Sequence, residues 1–555
     1  MQGPHAADPP FRTANSCCAQ RGNEPAWLWD QDIPDAGLNS LGERPDPGGD
    51  DMPKGKAPYL IAGIFLLTTL AINVVFVPYP TDNDLDEIGW LVQHLSISRL
   101  ESLANVNYPP GLPVLLRTLI PITGDLVRTA LVLQALACTA IVLIASRIAL
   151  CLLEDSRGAV WTAFLVAGLT LRLATSEFAD GIATALVLAG ISVLIVSGGD
   201  RRRDFLSGAL IGLAYLFRYH YLTFGILVPV ASLVLSPAEG RGRRALTIAT
   251  GFTAGCSPLL LVNLLARGNP FYTGISTFIM GQHVMGSVDW DNFLATYNIW
   301  PMGRLLSEEP WRVFQHLTAA AASLSTRPTI LSGMLLIPIS AGILRHTEAR
   351  RILTFLALCV AAYLALAVLP TLATDRAMLP ADVLLGLLCV PAVYCGTRTL
   401  CKGRPGVHVV LVGAALLMLF SLPTTAHHLR KKANGLAYNR ILCDRLNAAG
   451  GWDSAAVFSN HWNLYPVDDP NFVTYYNYGG WLLLDSVYAA ERPAPEACTV
   501  DEWRDFMREH ALRYLVIRKT DRTAAFFSEG LAAAEWEVVH FDGALAILRL
   551  RSPTG

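Results

Sequence analysis

The most regular feature of the chain is a series of long apolar runs separated by short polar stretches. Eleven such runs follow one another, and each approaches the ~20 residues that a helix needs to cross a bilayer. They cover residues 59–77, 126–150, 158–174, 180–197, 205–218, 221–236, 245–265, 329–344, 352–370, 377–396 and 407–425. The pattern predicts a mainly α, polytopic membrane protein with about 11 transmembrane helices.

The regions on either side of these runs have different patterns. Residues 1–57 are rich in Pro, Gly and Asp and show no apolar periodicity, which predicts a disordered tail. Met52 is an alternative start to Met1. From about residue 426 short helical and strand patterns alternate, which predicts a small α/β domain. The predicted domains are therefore residues 1–57, 58–425 and 426–555.

Within the C-terminal region the elements can be placed individually. Leu436 to Ala449 has a helical pattern, and the residues from Val500 to His510 follow a capping box that begins at Thr499. Strand patterns cover residues 455–459, 512–518, 536–541 and 544–550. Asp542-Gly543 between the last two predicts a hairpin turn.

Composition supports the prediction of a membrane protein and argues against a nucleic-acid-binding protein. The chain has 555 residues, of which 52% are hydrophobic and 16% charged, and its mean hydropathy is positive at +0.39. A soluble globular protein of this length rarely has such a composition. No basic domain or stripe is present, so nucleic-acid binding is not expected.

The basic residues predict the orientation of the chain in the cell membrane. If the N-terminus is cytoplasmic, four successive inner loops carry the arginines and lysines, as the positive-inside rule requires. These residues are Arg201, Arg202, Arg203, Arg241, Arg243, Arg244, Arg345, Arg350, Arg351, Arg398, Lys402 and Arg404. The first outer loop, the 266–328 loop and the C-terminal domain are then extracytoplasmic.

A cluster of acids directly follows the first apolar run. Asp82, Asp84, Asp86 and Glu87 lie within six residues, and Asp82 and Asp86 would share one face of a helix. Like charges this close raise one another's pKa, which suits a general base that works near neutral pH. The other interpretation is a solvated helix N-terminus, where the helix dipole favours acids.

Further polar residues occur at the same predicted outer face. Tyr108 begins Tyr-Pro-Pro-Gly, Asp180 opens the fourth run, Arg218 and His220 lie between the fifth and sixth runs, and Arg376 opens the tenth. Each has an ordinary structural alternative, such as a surface turn or an arginine that reaches the interface along its aliphatic stem. Acids and arginines from separated places nevertheless converge on one membrane face, which predicts a site there.

In their order and sidedness these motifs resemble those of a known family. The chain resembles the GT-C superfamily of integral-membrane glycosyltransferases. The resemblance rests on the acids after the first span and on the motifs YPPG, SEFADGIATAL, GLAYLFRYH, RGNPFYTG and DRAMLPA. The resemblance is strongest to the family 39 type, which includes protein O-mannosyltransferases and bacterial aminoarabinose transferases. It implies a transferase that takes a sugar from a polyprenyl-phosphate carrier at the outer membrane face.

The resemblance also assigns roles. The family's essential acid falls among Asp82, Asp84, Asp86 and Glu87, with Asp86 ranked first. Arg218, His220, Arg376, Asp180 and Tyr108 are expected to bind the substrate, because arginine offers planar donors to a lipid phosphate.

No cofactor is certain, although a divalent metal on Asp82, Asp84 or Asp86 is possible as a second source of positive charge. The acceptor could be a lipid, a glycan or a protein. The alternative function is a polytopic transporter, or a protein that binds a lipid-linked substrate without transferring it.

Overall fold

The computed structural model describes most of the chain between residues 56 and 551. The described ranges are 56–76, 103, 109–124, 126–176, 179–235, 240–270, 307, 309–344, 346–368, 375–400, 407–449, 456–459, 474–476, 504–505, 508, 512–518, 535–543 and 545–551. The chain divides between Asp51 and Met52. All residues before that point lie outside the described ranges, so the fold below is that of Met52–Gly555.

The described part of this unit is mostly helical. Its helices are α1 (Ala57–Leu70, continued by a π-helical turn Ala71–Phe76), α2 (Gly111–Thr123), α3 (Leu126–Leu153), α4 (Ser156–Ala174), α5 (Asp180–Val196), α6 (Arg201–Tyr215), α7 (Leu222–Leu235), α8 (Arg241–Arg267), α9 (Pro310–Ser325), α10 (Pro328–Ile343), α11 (Thr347–Tyr363, continued by Leu364–Val368), α12 (Asp375–Leu400) and α13 (Val407–Ala448). Each of the eleven apolar runs coincides with one of these helices. The prediction of helices at those places is confirmed.

Two helices were not predicted from the apolar runs, namely α2 and α9. Polar residues interrupt both sequences, Arg117 and Thr118 in α2 and Gln315 and His316 in α9. The two helices have 13 and 16 residues, fewer than the ~20 of a membrane span, so neither contains a long apolar run.

Several helices have the length and composition of membrane spans. Among the described residues these are Ala57–Phe76, Leu126–Leu153, Arg241–Ala266, Thr347–Leu366 and Ala377–Gly396. The pair α9 and α10 would form a sixth span, although it is bent by 73°. The chain is therefore a multi-pass membrane protein, and the count of eleven spans remains a prediction.

The helix bundle is held together by close packing of small residues. Helix α6 packs along α8, where Gly208 and Gly212 meet a second pair, Gly251 and Gly255. A Cβ atom on Gly255 would lie 2.3 Å from the Ala209 carbonyl oxygen. Small residues four apart allow two backbones to approach this closely in a membrane. The approach fixes the position of α6, which leads directly into the candidate site.

A five-stranded sheet forms near the C-terminus. Its strands are β1 (Ala456–Ser459), β2 (Thr474–Tyr476), β3 (Leu512–Arg518), β4 (Trp536–Phe541) and β5 (Leu545–Leu550). They lie in the order β2-β1-β3-β5-β4, with β1 parallel to β2 and β3, and with β5 antiparallel to β3 and β4. The predicted strands at 455–459 and 512–518 and the hairpin at Asp542-Gly543 are confirmed.

The long helix α13 connects the bundle to this sheet. Its last turns bury Leu442 and Leu446 against Val516 and Ile547 of the sheet. The helix is continuous across residues 425 and 426, where the sequence pattern places a domain boundary. Most of the helix predicted over residues 500–510 lies outside the described residues.

Candidate functional site

The centre of the candidate site is a buried ion pair between Asp180 and Arg218. Asp180 lies in the first turn of α5, where the helix dipole stabilises a negative charge. Arg218 has an extended backbone in the short connection between α6 and α7. Its Nη2 donates to Asp180 Oδ2 at 2.9 Å, and the two side chains are 13% and 2% exposed. Two residues that the sequence only assigned to the same face are thus direct partners.

His220 belongs to the same cluster. Its Nε2 lies 3.9 Å from the other carboxylate oxygen of Asp180, Oδ1. Its ring stands against the ring of Tyr221, with 4.7 Å between the ring centroids. The Asp180 carboxylate therefore faces one guanidinium and one imidazole, and the guanidinium donates a hydrogen bond to it.

Tyr221 and Thr184 fix the backbone of Asp180. The Tyr221 hydroxyl donates to the Asp180 carbonyl oxygen at 3.3 Å, and it shares a hydrogen bond of 2.6 Å with Thr184 Oγ1. Both side chains are fully buried. The sequence analysis did not select either residue as part of a site. The only signal in the sequence was their spacing, because Thr184 lies four residues after Asp180 and Tyr221 lies three residues after Arg218.

An aromatic wall connects this cluster to the start of α12. The rings of Tyr363 and Phe224 stack with centroids 4.6 Å apart. The Tyr363 hydroxyl donates to the carbonyl oxygen of Ala377 at 2.8 Å. The first turn of α12, which contains Arg376, is therefore next to the wall of the Asp180 site. The side chain of Arg376 lies outside the described residues.

The Tyr-Pro-Pro-Gly motif meets the site from another direction. The Gly111 N–H donates to the Leu216 carbonyl oxygen at 2.8 Å, two residues before Arg218. A Cβ atom at position 111 would lie 2.3 Å from that same oxygen, so only glycine fits this approach. Tyr108 itself lies outside the described residues. Segments from four separated motifs thus meet at one end of the bundle.

Two buried polar side chains, Gln134 and Lys432, were not selected from the sequence. The side-chain amide of Gln134 is buried against Gly181, and within the described ranges it has no hydrogen-bond partner. Lys432 of α13 is 1% exposed, and its Nζ donates to the Thr175 carbonyl oxygen at 2.9 Å. The string His-His-Leu-Arg-Lys-Lys around Lys432 was a visible signal.

His428 accompanies Lys432 just past the end of the predicted eleventh span. Its Nε2 is 3.3 Å from Ser176 Oγ. Burial first, and then the positive charges of Lys432 and Arg172, lower the pKa of His428 to about 4. The His428 ring is therefore neutral near pH 7.

Asp82, Asp84, Asp86 and Glu87 all lie outside the described residues. Within the described ranges no group of three or more His, Cys, Asp or Glu side chains could hold a metal ion. A metal site on Asp82, Asp84 or Asp86 therefore stays a prediction.

The described arrangement suits the binding of a phosphate at the edge of the bundle. A guanidinium carries five N–H donors in a planar fork, a geometry that matches the oxygens of a phosphate. The Asp180 contact holds that fork in one orientation. A phosphate next to Arg218 would meet a group that is already positioned, which is the arrangement that favours bidentate binding.

Comparisons with known proteins identify the fold. No protein-family model and no curated protein matches the chain. The structure is similar to that of ArnT from Cupriavidus metallidurans bound to undecaprenyl phosphate, with a TM-score of 0.58 at 11% identity over 89% of this chain and 98% of that chain. The apo state of ArnT gives 0.50 at 12% identity, over 88% and 97%.

A third similar structure is the Archaeoglobus fulgidus oligosaccharyltransferase, with a TM-score of 0.46 at 14% identity over 82% of this chain and 68% of that chain. The similarity to ArnT extends over nearly the whole length of both chains. The chain therefore has the fold of ArnT.

Proposed function

We propose that the protein is a membrane glycosyltransferase, which moves a sugar from a polyprenyl-phosphate-linked donor to an acceptor at the outer face of the cell membrane. The observation that carries the proposal is the fold similarity to ArnT, an aminoarabinose transferase, over 89% of this chain and 98% of that chain. The structure of ArnT contains undecaprenyl phosphate. A second observation agrees with this proposal. The segments that contain YPPG, Asp180, Arg218 and Ala377 meet at one end of the bundle.

Arg218 is the proposed ligand of the carrier phosphate. When the sugar leaves, negative charge develops on the lipid phosphate, and a cation that stays protonated stabilises it. Arg218 is 13% exposed and held by Asp180 at 2.9 Å, so little reorganisation is needed when the phosphate binds. His220 and Arg376 are proposed to support the same headgroup, and Tyr108 to contact the sugar.

The proposed general base is a carboxylate among Asp82, Asp84, Asp86 and Glu87, with Asp86 first. It removes the proton from an acceptor hydroxyl while that oxygen attacks the anomeric carbon of the sugar. The bond between this carbon and the phosphate oxygen breaks, and the polyprenyl phosphate leaves. The cluster follows α1 in the sequence and precedes Gly111, whose contact with Leu216 returns the chain to the Asp180 site.

The proposal includes the organisation predicted from the sequence. It comprises a cytoplasmic tail at 1–57, a transmembrane catalytic domain of about 11 helices at 58–425, and an extracytoplasmic α/β domain at 426–555. A reporter fused after Leu550 should be active only outside the cytoplasm. A divalent metal at the acids is a proposed addition.

The alternative function is a transporter, or a lipid-linked-substrate binding protein without transferase activity. Transporters carry ionisable groups near the middle of broken helices. Asp180 and Arg218 instead lie at the ends of helices.

The test is a transfer assay on the purified full-length protein in detergent, with a panel of polyprenyl-phosphate sugars. Release of polyprenyl phosphate, measured by mass spectrometry, is the expected result for at least one donor. The variant Arg218→Lys keeps the positive charge but loses the planar fork, so turnover should fall at least tenfold. The matched variant Arg157→Lys changes an exposed arginine in the first turn of α4 and should keep full turnover. Binding without any release would favour the alternative function.

A further inference from the structure

A cavity lined by several charged side chains lies at the end of the bundle opposite to Asp180. It has a volume of about 600 Å³ and opens between the end of α5 and the first turns of α6, α8 and α11. Leu194 borders the cavity and lies 14 residues after Asp180 on the same helix, which corresponds to about 21 Å at 1.5 Å per residue. The cavity is therefore separate from the candidate transferase site. We call it the arginine cavity.

The charged side chains that line the arginine cavity are mainly positive. They are Arg201, Arg243, Arg244, Arg351, Asp204 and Glu348. Arg244 neutralises Asp204 through Nε at 3.1 Å, which leaves Glu348 as the opposing acid. Arg201, Arg243 and Arg351 are exposed and form no ion pair with another residue of the described ranges. The cavity thus holds an excess of positive charge.

The inner wall of the cavity is a buried hydrogen-bonded network. Asp204 is 1% exposed and accepts from Ser197 Oγ at 2.7 Å in addition to Arg244. Arg244 Nη2 also donates to the Leu194 carbonyl oxygen at 2.9 Å. These bonds tie α5, α6 and α8 together around the cavity. The arginines consequently stand on a rigid frame and do not merely share a loop surface.

Backbone N–H groups at the rim of the cavity carry partial positive charge, the same sign as the arginines. Helix α8 begins after Gly240, which has a φ of 90° and provides no side-chain cap. Helix α11 begins after His346, which also provides no side-chain hydrogen bond. The first N–H groups of a helix carry partial positive charge and favour anions. The rim and the arginines would therefore attract the same kind of ligand.

We propose that the arginine cavity binds the phosphate group of an anionic membrane lipid. A phosphate at a membrane surface is the anion that clustered arginines and helix N-termini both accommodate. Basic pockets between membrane helices bind such headgroups. The positive-inside rule alone requires only that these arginines lie on one side of the membrane. It does not require that arginines of three separated segments line one cavity around a buried Asp204–Arg244 pair.

The test measures lipid binding by the delipidated full-length protein with native mass spectrometry. The probe is phosphatidylglycerol, and phosphatidylcholine, which has no net charge, is the reference lipid. The variant Arg243→Gln/Arg351→Gln removes two exposed charges from the cavity. At roughly fivefold per arginine, it should bind phosphatidylglycerol about thirtyfold more weakly. The matched variant Arg157→Gln/Arg202→Gln removes two exposed charges from the same end of the bundle but outside the cavity, and should bind normally.

The outcomes separate the cavity from a general surface effect. Equal losses in the two double variants would overturn the proposal, because charge alone would then explain binding. No loss in either variant would also overturn it, because the cavity arginines would then not contribute to binding. An inorganic phosphate titration forms the second arm. If phosphate displaces the lipid from the wild type as effectively as free phosphatidylglycerol does, the cavity is a phosphate site that serves a soluble ligand.

Discussion

The Asp180–Arg218 pair gives the most direct test of the structure, through the variant Asp180→Ala. The carboxylate is 2% exposed and lies 2.9 Å from the guanidinium, so its removal leaves a largely buried arginine without its main counter-charge. Breaking a buried pair from one side typically costs about 3–5 kcal/mol. Arg218 is 13% exposed and can regain some water. We therefore expect a loss of about 3 kcal/mol in the free energy of unfolding.

The double variant Asp180→Ala/Arg218→Met separates this effect from general damage to the site. It removes both charges, so it should be less destabilised than the sum of the two single variants by at least about 1 kcal/mol. Unfolding of the micellar protein is followed by tryptophan fluorescence during titration with a denaturing detergent. The pair Asp204–Arg244 is the matched control, because it has similar burial and an oxygen–nitrogen distance of 3.1 Å. Additive losses at Asp180 and Arg218, with coupling at the control pair, would refute the ion pair.

Three other variants test separate parts of the molecule. Asp86→Asn should lower turnover by about 10²–10⁴-fold while donor affinity survives, as a general base requires; normal turnover would point to a solvated helix end. Gly255→Ala should cost about 1–3 kcal/mol of stability, because its Cβ would lie 2.3 Å from the Ala209 carbonyl oxygen, whereas Gly242→Ala meets open space and should not be destabilised. The pKa of His428 is lowered to about 4, so between pH 6.5 and 4 the His428 side chain is protonated in the unfolded chain but neutral in the folded chain. Stability should thus fall as the pH drops from 6.5 towards 4, and a thermal-unfolding series in which His428→Gln shows the same fall would contradict this.

Much of the secondary structure could be predicted because it depends on local patterns. The run at 126–150 became α3, and the Asp542-Gly543 turn became a hairpin in which Leu545 N–H donates to Asp542 Oδ1 at 2.7 Å. Each of these signals is formed by residues that are neighbours in the sequence. Helices α2 and α9 escaped prediction because polar residues interrupt their sequences and neither contains a long apolar run. Their stability comes from packing against neighbours that the local pattern does not contain.

The sequence by itself determined the membrane-protein class and the order of the apolar helices, and it predicts that the motifs share one membrane face. Only the tertiary structure decided which of these residues are partners. Asp180 pairs with Arg218 across 38 residues, and Gly111 rests on Leu216, because α6 is fixed by its glycine contacts with α8. Likewise the basic loops indicated a membrane side, whereas the packing of α5, α6, α8 and α11 gathered their arginines into a cavity. Hydrophobic periodicity is a property of neighbouring residues, while the choice of a partner depends on how the helix surfaces fit together.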